Sequence, residues 1–195
     1  MDNDQVRSFI AIELPAELKK KIEIFQTGLK TSRFTFVKWV DPESIHITLK
    51  FLGDQTLARL EIVKRVLNIC AAGCKPFTIS TGQTGCFPNY KRARVFWLGL
   101  DGDLDSLIGL QKEIDKSLAH EGFPQEDRPF TAHLTLARLR DECSLQCRLE
   151  FAGKIQGVSF EPSCSFAVGH IALMKSTLTT HGPLYTKLSE FKFRA

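Results

Sequence analysis

The sequence predicts an α+β fold, a single domain made of two related lobes. Three observations carry this. Apolar runs of period two alternate with runs at three- and four-residue spacing, giving about eight or nine strands and three or four helices. At 195 residues and 22.0 kDa, the chain has room for one domain or two small lobes sharing a core. Finally, Ser-Ile-His-Ile-Thr-Leu at 44–49 is echoed by Thr-Ala-His-Leu-Thr-Leu at 131–136, 87 residues on, a period too long for a solenoid.

Val6 to Leu14 reads as a strand, and behind Pro15 the apolar residues Leu14, Leu18, Ile22, Phe25 and Leu29 recur at helical spacing. Phe36 to Val40 and Ile45 to Leu52 read as strands, followed after Gly53 by a helix over 55–74 with a Leu60, Val63, Leu67 stripe. Pro76 to Thr81 and Arg94 to Leu100 are predicted as strands flanking a loop of Gly82, Gly85, Pro88 and Asn89. Asp103 caps a helix to about Glu121, ended by Gly122-Phe123-Pro124. Phe130 to Leu139 is a strand, 141–149 a short helix, and Cys164 to Met174 and Leu184 to Phe193 two further strands. No stretch is rich enough in Pro, Gly and Ser to be a linker, so a lobe boundary has to be tight and falls near 100–130.

Composition excludes several classes. Hydrophobic residues at 43% and 15 Phe supply enough apolar surface to offset ordering entropy, which excludes a disordered chain. The longest apolar runs fall far short of a membrane span. Asp2 and Asp4 precede the first strand with no basic or apolar leader, so the expected compartment is the cytoplasm. The six cysteines are expected as free thiols, with Cys70 and Cys74 continuing the stripe of their helix. Two C-x3-C pairs without a nearby His fit zinc-site spacing poorly, and no metal is expected. Net charge is +4, unevenly spread: residues 1–100 hold 15 basic and 9 acidic groups. Such an excess draws phosphate-bearing ligands, although alone it is also ordinary solvated surface.

The echoed segments carry the chemistry. On a strand, His46 and Thr48 share one face while Ile45, Ile47 and Leu49 share the other, and His133 and Thr135 repeat this against Ala132, Leu134 and Leu136. A lone His-x-Thr is an ordinary polar face, but His-x-Thr-Leu is expected by chance only about 0.04 times in this composition, and it occurs twice. Two imidazoles titrating near neutrality supply the acid and the base that opening a cyclic phosphodiester requires, and two hydroxyls can donate to the non-bridging oxygens. His120, His170 and His181 lack the Thr and are assigned to structure or surface. No phosphate-binding Gly-x4-Gly-Lys-Ser/Thr loop, Gly-x-Gly-x-x-Gly segment or Ser-His-Asp order is present.

With these motifs go Arg7-Ser-Phe-Ile-Ala-Ile, His46-Ile-Thr-Leu-Lys-Phe-Leu-Gly, Gly85-Cys-Phe-Pro, Arg94-Val-Phe-Trp-Leu-Gly-Leu, Phe130-Thr-Ala-His-Leu-Thr-Leu-Ala-Arg and Gly182-Pro-Leu-Tyr. Over nearly its whole length the chain resembles the 2H phosphoesterase superfamily and, within it, the LigT-like RNA 2′,3′-cyclic phosphodiesterases. The resemblance implies a single domain over 1–195, with two pseudo-symmetric, intertwined lobes. Antiparallel sheets would enclose a central cleft, helices would lie outside, and each lobe would give one motif. It implies His46 as proton donor to the leaving 3′ oxygen, His133 as proton acceptor from water, and Thr48, Thr135 and Arg138 as phosphate-binding residues. The implied substrate is an RNA or oligonucleotide with a 2′,3′-cyclic phosphate end, turned over by a monomer without cofactor. The family commonly has Pro where this chain has Ala132.

Strict alternation puts Arg138 on the face opposite His133, so a bulge or the strand end must turn it in. Lys50 shares the His46 face by alternation and is a candidate phosphate contact. Phe51 is read as core or as a platform for a base. Two alternatives stay open: the same site acting on ADP-ribose cyclic phosphate or 2′-5′-linked oligonucleotides, including as a reversible ligase, and a nucleotide- or RNA-binding module with little turnover.

Overall fold

Two antiparallel sheets divide the strands, and the chain crosses between them more than once. The computed structural model describes residues 5–31, 33–180 and 182–194; His181, assigned above to structure or surface, lies outside them. In chain order the elements are β1 (Val6–Glu13), α1 (Ala16–Leu29), β2 (Val37–Trp39), β3 (His46–Gln55), α2 (Leu57–Ala72), β4 (Phe77–Phe87), β5 (Val95–Gly102), α3 (Leu104–His120), β6 (His133–Leu139), α4 (Leu145–Ile155), β7 (Ser165–Val168), β8 (His170–Thr179) and β9 (Gly182–Lys192). One sheet has the order β3-β1-β8-β9 and the other β2-β6-β5-β4-β7. The fold is thus α+β with antiparallel sheets, as expected. The tight boundary expected near 100–130 does not separate the sheets, because β8 and β9 return to the first one.

The helices form where apolar spacing and caps coincide. Leu18, Ile22 and Leu29 of α1 are buried, and buried Gln26 donates from Nε2 to the carbonyls of Val40 (2.9 Å) and Leu136 (3.0 Å), fixing α1 against the strand entering the site. Thr56 caps α2 by accepting from the Arg59 amide, and Asp103 caps α3 by accepting from the Ser106 amide. Gly122, at φ 77°, takes the left-handed conformation just beyond α3. α2 packs on α3, β8 and β9, while α3 reaches both β3 and β4, so one apolar core underlies both sheets.

Two expectations are corrected. The predicted loop of Gly82 and Gly85 is continuous strand, since β4 runs to Phe87. These glycines mark close approach, not a turn: a Cβ on Gly85 would run into the Trp97 indole, and one on Gly82 would lie 2.5 Å from Asp101 Oδ2. The predicted strand Cys164 to Met174 is two strands, with β7 pairing β4 in one sheet and β8 pairing β1 in the other, and Gly169 between them.

The register carries the fold's main consequence for chemistry. Between β1 and β3, Ala11 faces Thr48 and Ile10 faces Lys50, leaving Leu49 as an extra residue. Between β5 and β6, Trp97 faces Thr135 and Phe96 faces Ala137, leaving Leu136 as an extra residue. Each motif is therefore followed, one residue past its Thr, by a bulge that reverses which side chains face the cleft.

Candidate active site

A cavity of about 570 Å³ opens between the sheets, and His46, Thr48, His133 and Thr135 all line it. β3 presents the first pair and β6 the second, with Ile47, Leu49, Leu134 and Leu136 buried behind them. The bulges decide what comes next. Arg138 rejoins the face of His133 and lines the cavity. Phe51, in the matching position on β3, also lines it and is 65% exposed, so it is a cleft residue and the core reading fails.

Lys50 goes the other way, which corrects its candidate role. The bulge turns it under the sheet, where it is 3% exposed, pairs with Asp115 of α3 and donates to the Pro124 carbonyl at 2.7 Å. It ties the first motif's strand to the segment leading into the second.

The two imidazoles are held alike. Nδ1 of His46 lies 2.8 Å from the Ser44 carbonyl, and Nδ1 of His133 lies 2.7 Å from the Thr131 carbonyl. A carbonyl oxygen can only accept, so each Nδ1 carries the proton and Nε2 is left for the cavity. Aromatic rings fix the planes. Phe9 stacks on His46 at 4.7 Å and Tyr185 meets it edge-on at 5.2 Å, while Phe87 meets His133 edge-on at 5.0 Å.

Burial pushes both imidazoles below their ordinary value of 6.5, and the Arg138 guanidinium pushes the same way, while the backbone hydrogen bond of each ring opposes the fall. The carboxylate of Glu13 adds an upward pull on His46 alone. Burial also pushes the Tyr185 phenol up, keeping its hydroxyl a donor. Neither Arg138 nor Lys38, its cross-strand neighbour on β2 and also a cavity residue, makes an ion pair among the described residues. Like charges placed opposite each other disfavour the sheet, and an anion in the cleft relieves them.

Phe9, Phe87, Tyr185, Lys38 and Glu13 received no role from the sequence. Phe9, Phe87 and Tyr185 lie inside segments that carried the resemblance, so their neighbourhood was visible but not their aim. Lys38 and Glu13 had no motif around them and become recognisable only through their strand partners.

Such a pair of matched half-sites fits the family comparison. The pattern described as LigT like Phosphoesterase matches the chain twice, over residues 12–97 and 98–185, one copy for each motif. The chain belongs to this family. Among curated relatives, the RNA 2′,3′-cyclic phosphodiesterase of Methanothermobacter thermautotrophicus is 34% identical over 188 residues, covering 96% of this chain and 99% of the relative. That of Methanocaldococcus jannaschii is 35% identical over 189 residues, covering 95% and 100%. The crystal structure of E. coli LigT complexed with 3′-AMP superposes with a TM-score of 0.77 at 25% identity, covering 98% of this chain and 100% of that one. LigT-like phosphoesterases are enzymes, and the cleft is where this chain brings its two His-x-Thr segments together. No helix among the described residues is long and apolar enough to cross a membrane.

Proposed function

We propose that this phosphoesterase hydrolyses RNA 2′,3′-cyclic phosphodiester ends to 2′-phosphomonoesters, using two histidines and no metal. The observation that carries the reading is the pair of His-Thr half-sites aimed into one cavity, with no hydrogen bond to Nε2 of either ring among the described residues and Arg138 acting on both. His133 accepts a proton from water as the water oxygen bonds to phosphorus. His46 donates a proton to the 3′ oxygen as the P–O3′ bond breaks, so the phosphate stays on the 2′ oxygen and each ring ends in the other's starting form. The Thr48 and Thr135 hydroxyls and Arg138 meet the non-bridging oxygens, where charge must be stabilised.

The free site holds both rings below 6.5. An anionic phosphodiester between them raises both, since an opposite charge favours the imidazolium, and this makes His46 available as an acid at neutral pH. Phe51, exposed on the cavity wall, offers a ring face to the terminal base. Lys38 beside Arg138 supplies a second cation for the phosphate of a neighbouring nucleotide. The RNA named for the relatives, and the 3′-AMP named for E. coli LigT, support a nucleotide substrate.

Phosphorus NMR of the purified protein with a short RNA ending in a 2′,3′-cyclic phosphate tests this. Conversion to a 2′-phosphate, undiminished in excess EDTA, is expected. A 3′-phosphate product, no conversion, or loss in EDTA restored by a divalent ion would overturn it.

A further inference from the structure

The pseudo-symmetry of the site is broken at the strand position directly across from each histidine. The cross-strand partner of His133 is Gly99, while the corresponding partner of His46 is Glu13. No side chain fits at Gly99, because a Cβ there would lie 2.9 Å from the Gln83 carbonyl oxygen and 3.2 Å from the Trp97 ring. Cross-strand neighbours on one face have Cβ atoms about 4.5–5.5 Å apart, so Glu13 stands beside His46 as a nearest neighbour.

The Glu13 carboxylate is itself held. Its Oε2 lies 2.5 Å from Lys187 Nζ and 3.8 Å from His170 Nε2, and Lys187 also reaches Glu190 at 2.8 Å. Glu13 is therefore faced by His46 of β3, His170 of β8 and Lys187 and Glu190 of β9. His46 is faced by Glu13 of β1, Arg138 of β6 and the Tyr185 phenol of β9, with His133 of β6 lining the same cavity.

We propose that Glu13 is a positioning residue that decides which of the two histidines carries the proton, designating His46 as the acid while Gly99 leaves His133 to act as the base. The assignment rests on the two-histidine reading above. Its physical ground is the imbalance between the two rings. His46 is the more deeply buried, and Arg138 repels a proton from both, so without a carboxylate His46 would be the harder ring to charge. Glu13 is the charged group that pulls His46 upward, and His133 has no equivalent among the described residues. Lys187 tempers this carboxylate through their ion pair.

The two partners of this ion pair should act in opposite directions, and that defines the test. In the free protein, imidazole titrations followed by ¹H–¹⁵N NMR should show the His46 midpoint moving to lower pH in Glu13→Gln and to higher pH in Lys187→Met, with His133 nearly unmoved in both. No substrate is involved, so the result stands apart from whether the enzyme turns over cyclic phosphates. Equal movement of both rings, or no movement of His46 in either variant, would overturn the proposal. If Glu13→Gln fails to fold, the upward shift in Lys187→Met remains decisive. In turnover near pH 7.5, Glu13→Gln should slow a 3′-oxygen substrate about 3- to 10-fold and leave a 3′-thio substrate unchanged, since a thiolate departs with little help from an acid. Equal slowing of both substrates would mean that Glu13 acts on something other than the acid.

Discussion

Arg138 on β6 occupies the position relative to its motif that Phe51 occupies on β3: each lies three residues past the motif threonine, beyond a one-residue bulge, and each lines the cleft. One side of the site thus offers a cation and the other a ring face, from the same backbone device. Arg138→Ala should lower kcat by about 10² to 10³, the usual cost of removing a donor to developing charge. Phe51→Ala should mainly raise KM, by about 5- to 100-fold for loss of one stacked base. Steady-state kinetics on a dinucleotide with a cyclic end separates the two, and a kcat effect confined to Phe51→Ala would contradict the division.

The histidines should each matter to the chemical step. His46→Ala and His133→Ala are expected to lose about 10² to 10⁴ in kcat, and the double variant less than the product of the two because both rings serve one transition state. Replacing the 3′ leaving oxygen by sulfur should rescue His46→Ala and leave His133→Ala slow. Rescue of the His133 variant instead would reverse the roles.

Depressed imidazoles set the pH behaviour. In the free enzyme both rings titrate below 6.5, so the bell in kcat/KM should be centred below pH 6.5, and the bell in kcat should lie at higher pH because the bound anion favours both charged forms. For stability the sign follows from proton counting. Between the lowered folded values and 6.5 the unfolded chain binds more protons than the folded one, so stability rises with pH through that window and is lost as pH falls. Denaturant melts of His46→Gln should show a flatter slope there than wild type.

Lys50 belongs to stability. Breaking its buried pair with Asp115 on one side, by Lys50→Met or Asp115→Asn, should cost about 3–5 kcal/mol, read from denaturant midpoints. Lys50→Met combined with Asp115→Leu should recover part of this, because no lone charge is then left buried. Where Lys50→Met remains folded, its KM for the cyclic end should match wild type.

Much of this was legible in the chain. The helical stripes, the cap at Asp103 and the two His-x-Thr strands follow from local periodicity and side-chain chemistry, which act within a few residues. Failures arose where a distant strand decided the outcome. Gly82 and Gly85 read as turn formers because Asp101 and Trp97, which need their missing side chains, lie on another strand. Alternation put Lys50 in the cleft and Phe51 in the core because a bulge is a property of two paired strands. Arg138 raised the same conflict, and there the need for a bulge was visible because the residue's expected role contradicted the simple pattern. Glu13 could not have been read at all without knowing that it stands across from His46.

The strand order also has a consequence in time. The sheet bearing His133 has all its strands once Val168 has been made, whereas the sheet bearing His46 waits for β8 and β9, ending at Lys192. Domains made on the ribosome fold from the N-terminus as chain emerges. Here β1 keeps one edge open until β8, more than 150 residues on, arrives to pair beside it. Tyr185, which braces the His46 ring, is delivered by that same final hairpin. A nascent chain therefore holds both histidines before β9 exists to brace the first.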